Sequence, residues 1–128
     1  MSVLTTQFQI DTEPRKEDAT ITVQGGDAYN LLVIESETPL KVRIMPKSFV
    51  KLYGNIKATS LGDNWVEAYD NCNIVAGERD YIICKNNSKA DFRDSKGCSC
   101  EARDTSCIYT NKHVGLKYTK DRTVNIFN

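Results

Sequence analysis

The sequence contains one histidine, His113, one tryptophan, Trp65, and three prolines, Pro14, Pro39 and Pro46. With a lone histidine, a Cys/His metal site would need ligands gathered from separate segments. The five cysteines (Cys72, Cys84, Cys98, Cys100, Cys107) include no CxxC pair, so they spell neither a disulfide framework nor a zinc motif. The lack of proline beyond Pro46 leaves the rest of the chain free of residues that cannot donate to a sheet ladder. Charge of one sign is also missing. Lys+Arg (17) and Asp+Glu (17) cancel, and no global field draws the chain to nucleic acid or an anionic membrane. No stretch approaches the roughly 20 apolar residues of a membrane span, and the N-terminus lacks a basic region followed by an apolar run. These absences point to a soluble, unexported, cytoplasmic chain whose thiols are small buried groups. P-loop, GxGxxG, GxSxG and HExxH motifs are absent as well, and neither a cofactor nor enzymatic activity is expected.

What is present is a repeat. From Phe49 the chain divides into octads: FVKLYGNI, KATSLGDN, WVEAYDNC, NIVAGERD, YIICKNNS, KADFRDSK, GCSCEARD, TSCIYTNK, HVGLKYTK. Among second and fourth positions only Ser60 and Ser106 are neither apolar nor cysteine. Two apolar positions flanking a polar one make a short strand with one buried face. The sixth and seventh positions, such as Gly54-Asn55, Gly62-Asp63, Asp70-Asn71, Asn86-Asn87 and Asp94-Ser95, read as turns. Such short strands cannot bury their inward residues alone, so successive turns must stack. The expected fold is an all-β parallel β-solenoid of octad half-turns, with about sixteen residues per coil and two facing sheets. In this frame Leu52, Ala68, Cys84, Cys100 and Leu116 stack in one sheet, and Ser60, Ala76, Phe92 and Ile108 in the other. Earlier pairs (Ile21/Val23, Leu32/Ile34, Val42/Ile44) keep the spacing. Val124/Ile126 follows a two-residue insertion placed near Thr119 to Arg122. The solenoid is thus assigned to residues 19–128, and residues 1–18 to a strand or cap segment in which Phe8 and Ile10 form a covering strand and Asp11 to Asp18 a polar turn or linker.

The octad Trp65-Val-Glu-Ala-Tyr-Asp-Asn-Cys72 resembles the degenerate V-x-A-x-(G/D)-N repeat of phage, prophage and gut-bacterial proteins. The resemblance covers about two thirds of the chain. It implies the solenoid architecture and a phage or mobile-element origin, with host cytoplasm or virion as the setting, and it implies no common catalytic motif. Later octads depart from the pattern by placing Cys98/Cys100 and Ser106/Ile108 where valine and alanine are expected.

Outward positions differ between the two sheets. On one, Phe49, Trp65 and Tyr81 recur every sixteen residues beside Tyr53 and Tyr69, followed by Gly97-Ser99-Glu101 and His113-Gly115-Lys117. Stacked aromatics serve as an interface for a protein partner or a second copy. They also serve as a patch covered by the N-terminal segment, or as a platform for sugar rings or unstacked bases. The other face presents Lys41, Arg43, Lys57, Lys89 and Arg93; Lys41, Lys57 and Lys89 share a column that Asn73 and Thr105 interrupt. That interruption and the opposing Asp91 argue against nucleic acid. The expected function is a non-enzymatic protein-binding module acting through the aromatic ladder, with a structural or self-assembling element and a carbohydrate-binding module as alternatives.

Overall fold

Alternating inward and outward residues coil as that pattern requires. The computed structural model describes residues 3–14, 16 and 19–128 and shows a parallel β-solenoid of about seven turns. Its elements are β1 (Val3–Leu4), α1 (Gln7–Thr12), β2 (Thr20–Val23), β3 (Leu32–Ile44), β4 (Phe49–Ser60), β5 (Trp65–Ala68), β6 (Asn73–Val75), β7 (Tyr81–Cys84), β8 (Lys89–Asp91), β9 (Ser99–Ala102), β10 (Cys107–Tyr109), β11 (Lys117–Lys120) and β12 (Asn125–Phe127). β3 and β4 run through a corner and belong to both sheets. The first sheet joins their leading halves to β5, β7, β9 and β11. The second joins β1, β2 and their trailing halves to β6, β8, β10 and β12.

The sixteen-residue coil holds from Phe49 to Asp91, where Trp65 pairs with Phe49 and Tyr81, and Asn73 with Lys57 and Lys89. Beyond that, the pairing lengthens to eighteen residues: Ser99 lies beside Tyr81, and Cys107 beside Lys89. The extra pair enters in residues 92–98, which join β8 to β9, two more than the residues 76–80 that join β6 to β7. A second enters in residues 110–116, between β10 and β11, and not near Thr119 to Arg122. Several stacks move accordingly. Cys84 pairs with Ala102 and Cys100 with Ile82, Ile108 lies beside Ala90, and Tyr118 takes the place beside Cys100 that Leu116 was expected to fill. Leu116 falls outside the column and is half-buried. His113 lies in an exposed turn, not on the sheet.

The N-terminal residues also differ from expectation. Phe8 and Ile10 sit on α1, a helix that Thr6 and Gln9 start with a reciprocal capping box. Ile10 is fully buried and Phe8 is exposed. The Gln7 side chain donates to the Val33 carbonyl (2.8 Å) and accepts from the Val33 N–H (2.7 Å), satisfying a β3 edge at the end of the stack. Asp11 and Thr12, expected in a polar turn or linker that reaches Asp18, instead end α1, and of the remainder Arg15, Glu17 and Asp18 lie outside the described residues.

Polar side chains close both corners. After the first sheet, Gly54, Asp70, Asn86 and Asp104 adopt positive φ. Each backbone N–H there donates to a side-chain oxygen one coil later: Gly54 to Asp70 (2.9 Å), Asp70 to Asn86 (3.0 Å), Asn86 to Asp104 (2.8 Å) and Asp104 to Asp121 (3.3 Å). Asp and Asn tolerate this backbone and supply the acceptor that a turning strand no longer offers. Gly54 is glycine because β4 passes the bulge between Ser36 and Leu40, where an added Cβ would collide with the Ser36 carbonyl.

The opposite corner is buried. Ser48 N–H donates to Asn64 Oδ1 (2.7 Å), Asn64 N–H to Asp80 Oδ1 (3.0 Å), and Gly77 N–H to Asp80 Oδ2 (2.7 Å). Burial raises the Asp80 pKa above its ordinary 3.8, only partly offset by the Asn64 N–H, the Ser60 hydroxyl and the Gly77 N–H. A carboxyl that binds its proton more tightly when folded stabilises the fold at acidic pH. That contribution is complete below 3.8 and is lost as pH rises through the raised folded value. Asp80→Asn removes the titration. The stability of the wild type relative to this variant should therefore fall as pH rises from 3.8, as measured by urea midpoints at a series of pH values.

Candidate functional site

The aromatic ladder is assembled by register alone. Phe49, Trp65 and Tyr81 are direct neighbours across β4, β5 and β7, and their side chains point outward because Val50, Val66 and Ile82 point in. The rings of Phe49 and Trp65 lie 6.3 Å apart, those of Trp65 and Tyr81 4.4 Å, and those of Tyr53 and Tyr69 4.6 Å. All five are half-buried, each covering part of its neighbours. The described N-terminal residues are placed against β2 and β3.

Two carboxylates hold the rings in place. Glu67 projects between Trp65 and Tyr69 on the same face. Its Oε2 accepts from Trp65 Nε1 (3.1 Å) and its Oε1 from the Tyr69 hydroxyl (2.9 Å). Glu101 accepts from the Tyr81 hydroxyl (3.3 Å). Burial first, and then these carboxylates, push both tyrosine pKa values upward, so each hydroxyl stays a donor across the neutral range. Lys85 Nζ lies 5.7 Å from the centre of the Tyr69 ring and ends that column. These partners were missed at first, yet their signal was present: Glu67 is the third residue of its octad, between aromatics at the first and fifth. The longer coils bring Glu101 beside Ile83, not Lys85, and Ser99 and Lys117 continue the column of Tyr81 in place of Gly97 and His113.

On the second sheet Lys41, Lys57, Asn73 and Lys89 form one column, continued by Cys107 rather than Thr105. Arg43 occupies the next outward position on β3, beside Thr59. Arg93 is bound to Asp91 (2.7 Å) and lies over the Tyr109 ring (5.5 Å). The nucleophilic groups are dispersed. Cys72, Cys84, Cys98 and Cys100 are buried and Cys107 half-buried. Burial pushes the Cys72 thiol up to about 11 and raises those of Cys98 and Cys100, the latter chiefly through its neighbour Cys84. Among the described residues no three His, Cys, Asp or Glu side chains converge to hold a metal, and no helix is long and apolar enough to cross a membrane. Comparison with known protein families, curated proteins and solved structures finds no match to this chain.

Proposed function

We propose that the chain is a non-enzymatic protein-binding module, a phage-encoded adaptor or inhibitor that engages a host protein in the cytoplasm through its aromatic ladder. The observation that carries this reading is the ladder's preorganisation. Five half-exposed rings stand in two adjoining stacks, with Trp65 and Tyr69 pinned by one carboxylate. Rings already fixed lose little conformational freedom on binding, and tryptophan and tyrosine are the side chains that most often anchor a protein interface. The phage setting rests on the octad resemblance.

Removing Trp65 and Tyr81 tests the reading. The double variant W65S/Y81S keeps the inward residues and should retain the wild-type circular dichroism spectrum. A host protein that cross-links to the wild-type chain and is then purified should bind the variant about a hundredfold more weakly, or not at all. Equal affinity for the folded variant would place the partner elsewhere and defeat the proposal.

A further inference from the structure

The second sheet's outer face carries a site that the ladder reading does not use. Three shallow hollows share walls along this face. The first takes in Lys41, Lys57, Asn71 and Asn73; the second shares Lys41, Lys57 and Asn73; the third shares Asn73 and continues to Lys89. Together they form a trough along the solenoid axis. The first hollow has a volume of about 360 Å³ and the buried Leu40 and Ile56 at its base.

The lysines of this trough are unpaired among the described residues. Arg79, Arg93 and Arg103 each lie 2.7 Å from a carboxylate, whereas Lys41, Lys57 and Lys89 make no ion pair among the described residues. Lys41 and Lys57 are moreover direct neighbours across the β3–β4 ladder, a like-charge placement that costs stability. Asp91, the carboxylate on this face, is already neutralised by Arg93. The amide side chains of Asn71 and Asn73 line the trough with no partner among the described residues.

We propose that this trough binds an acidic polysaccharide lying along the solenoid axis, with its carboxylates on Lys41, Lys57 and Lys89 and its hydroxyls on Asn71 and Asn73. Strand pairing sets the backbones of the three lysines at multiples of about 4.8 Å, which suits a periodic polyanion better than an isolated ion. Nucleic acid is the rival polyanion, and the chemistry of the face opposes it. Single-stranded bases need rings to stack on. The trough's one ring, Tyr109, is already covered by Phe127 (5.1 Å) and Arg93 (5.5 Å).

Titration of oligogalacturonate into the ¹⁵N-labelled 128-residue chain tests the proposal. Amide shifts are expected at Leu40, Lys41, Ile56, Lys57, Asn71 and Asn73, with the Trp65 indole unmoved. The double variant K41Q/K57Q alters only exposed side chains. It should keep the wild-type circular dichroism spectrum and bind about tenfold more weakly or worse. Neutral maltoheptaose and oligothymidylate should bind at least about tenfold more weakly than oligogalacturonate. The proposal is overturned by silence at the trough, by undiminished binding in K41Q/K57Q, or by equal affinity for either control. W65S/Y81S should bind the oligomer as the wild type does, which separates this site from the ladder.

Discussion

Phe92→Ala is expected to cost about 3–5 kcal/mol of unfolding free energy, the largest loss of any single substitution in the core. Phe92 heads the fully buried side chains by volume. It follows β8, whose own inward residue is only Ala90. β7 touches β8 across the core and offers Ile82 and the small Cys84. Ala90 and Cys84 are small, and the transfer loss and the cavity penalty add. A domain of this size has about 5–15 kcal/mol to lose, and the variant should sit at the edge of folding at 37 °C. Urea unfolding measures the loss. Val75→Ala provides the control: it removes methyl groups from an exposed position on β6 and should shift stability by no more than about 0.5 kcal/mol. A Phe92→Ala loss of similar size to the control would show that the two sheets close over the gap.

Asn64→Ala should cost about 2–4 kcal/mol although it removes no apolar surface. The Asn64 side chain accepts from the buried Ser48 N–H and donates to the Ile44 carbonyl (3.2 Å) and the Ser60 hydroxyl (2.8 Å). Truncation orphans the buried Ser48 N–H and takes one of their partners from the Ile44 carbonyl and the Ser60 hydroxyl, in a corner that water does not reach. Asn64→Asp separates shape from chemistry. It keeps the acceptor for Ser48, loses the two donated bonds and brings a carboxylate next to Asp80. Its deficit against the wild type should shrink as the pH falls toward about 4, while the new carboxyl takes up its proton in the folded state, and should level off below that. A pH-independent deficit would show that charge has no part in the loss.

The solenoid was legible because its inward residues alternate strictly and its turns spend glycine, aspartate and asparagine where positive φ is needed. The change of coil length was not. An insertion of two residues at a corner leaves the inward and outward parity of every later strand intact. Cys98, Cys100 and Ile108 therefore fit an eight-residue frame as well as they fit their true partners. α1 was missed because six residues, fewer than two turns, are too short to show a 3.6-residue period, although Thr6 and Gln9 spelled its capping box. The ladder of Phe49, Trp65 and Tyr81 was readable because it lies wholly within the sixteen-residue coils. The trough was not, since its walls come from separate coils, from β3, β4, β6 and β8 and the residues beside them. Its lysines could be counted in the sequence, but only the coordinates show which of them lack a carboxylate.

The staircase of Asp70, Asn86, Asp104 and Asp121 has a direction. At each step the donor belongs to the earlier coil and the acceptor to the later one. A chain emerging from the ribosome therefore makes its donors first, and each newly synthesised coil supplies the oxygen its predecessor awaits.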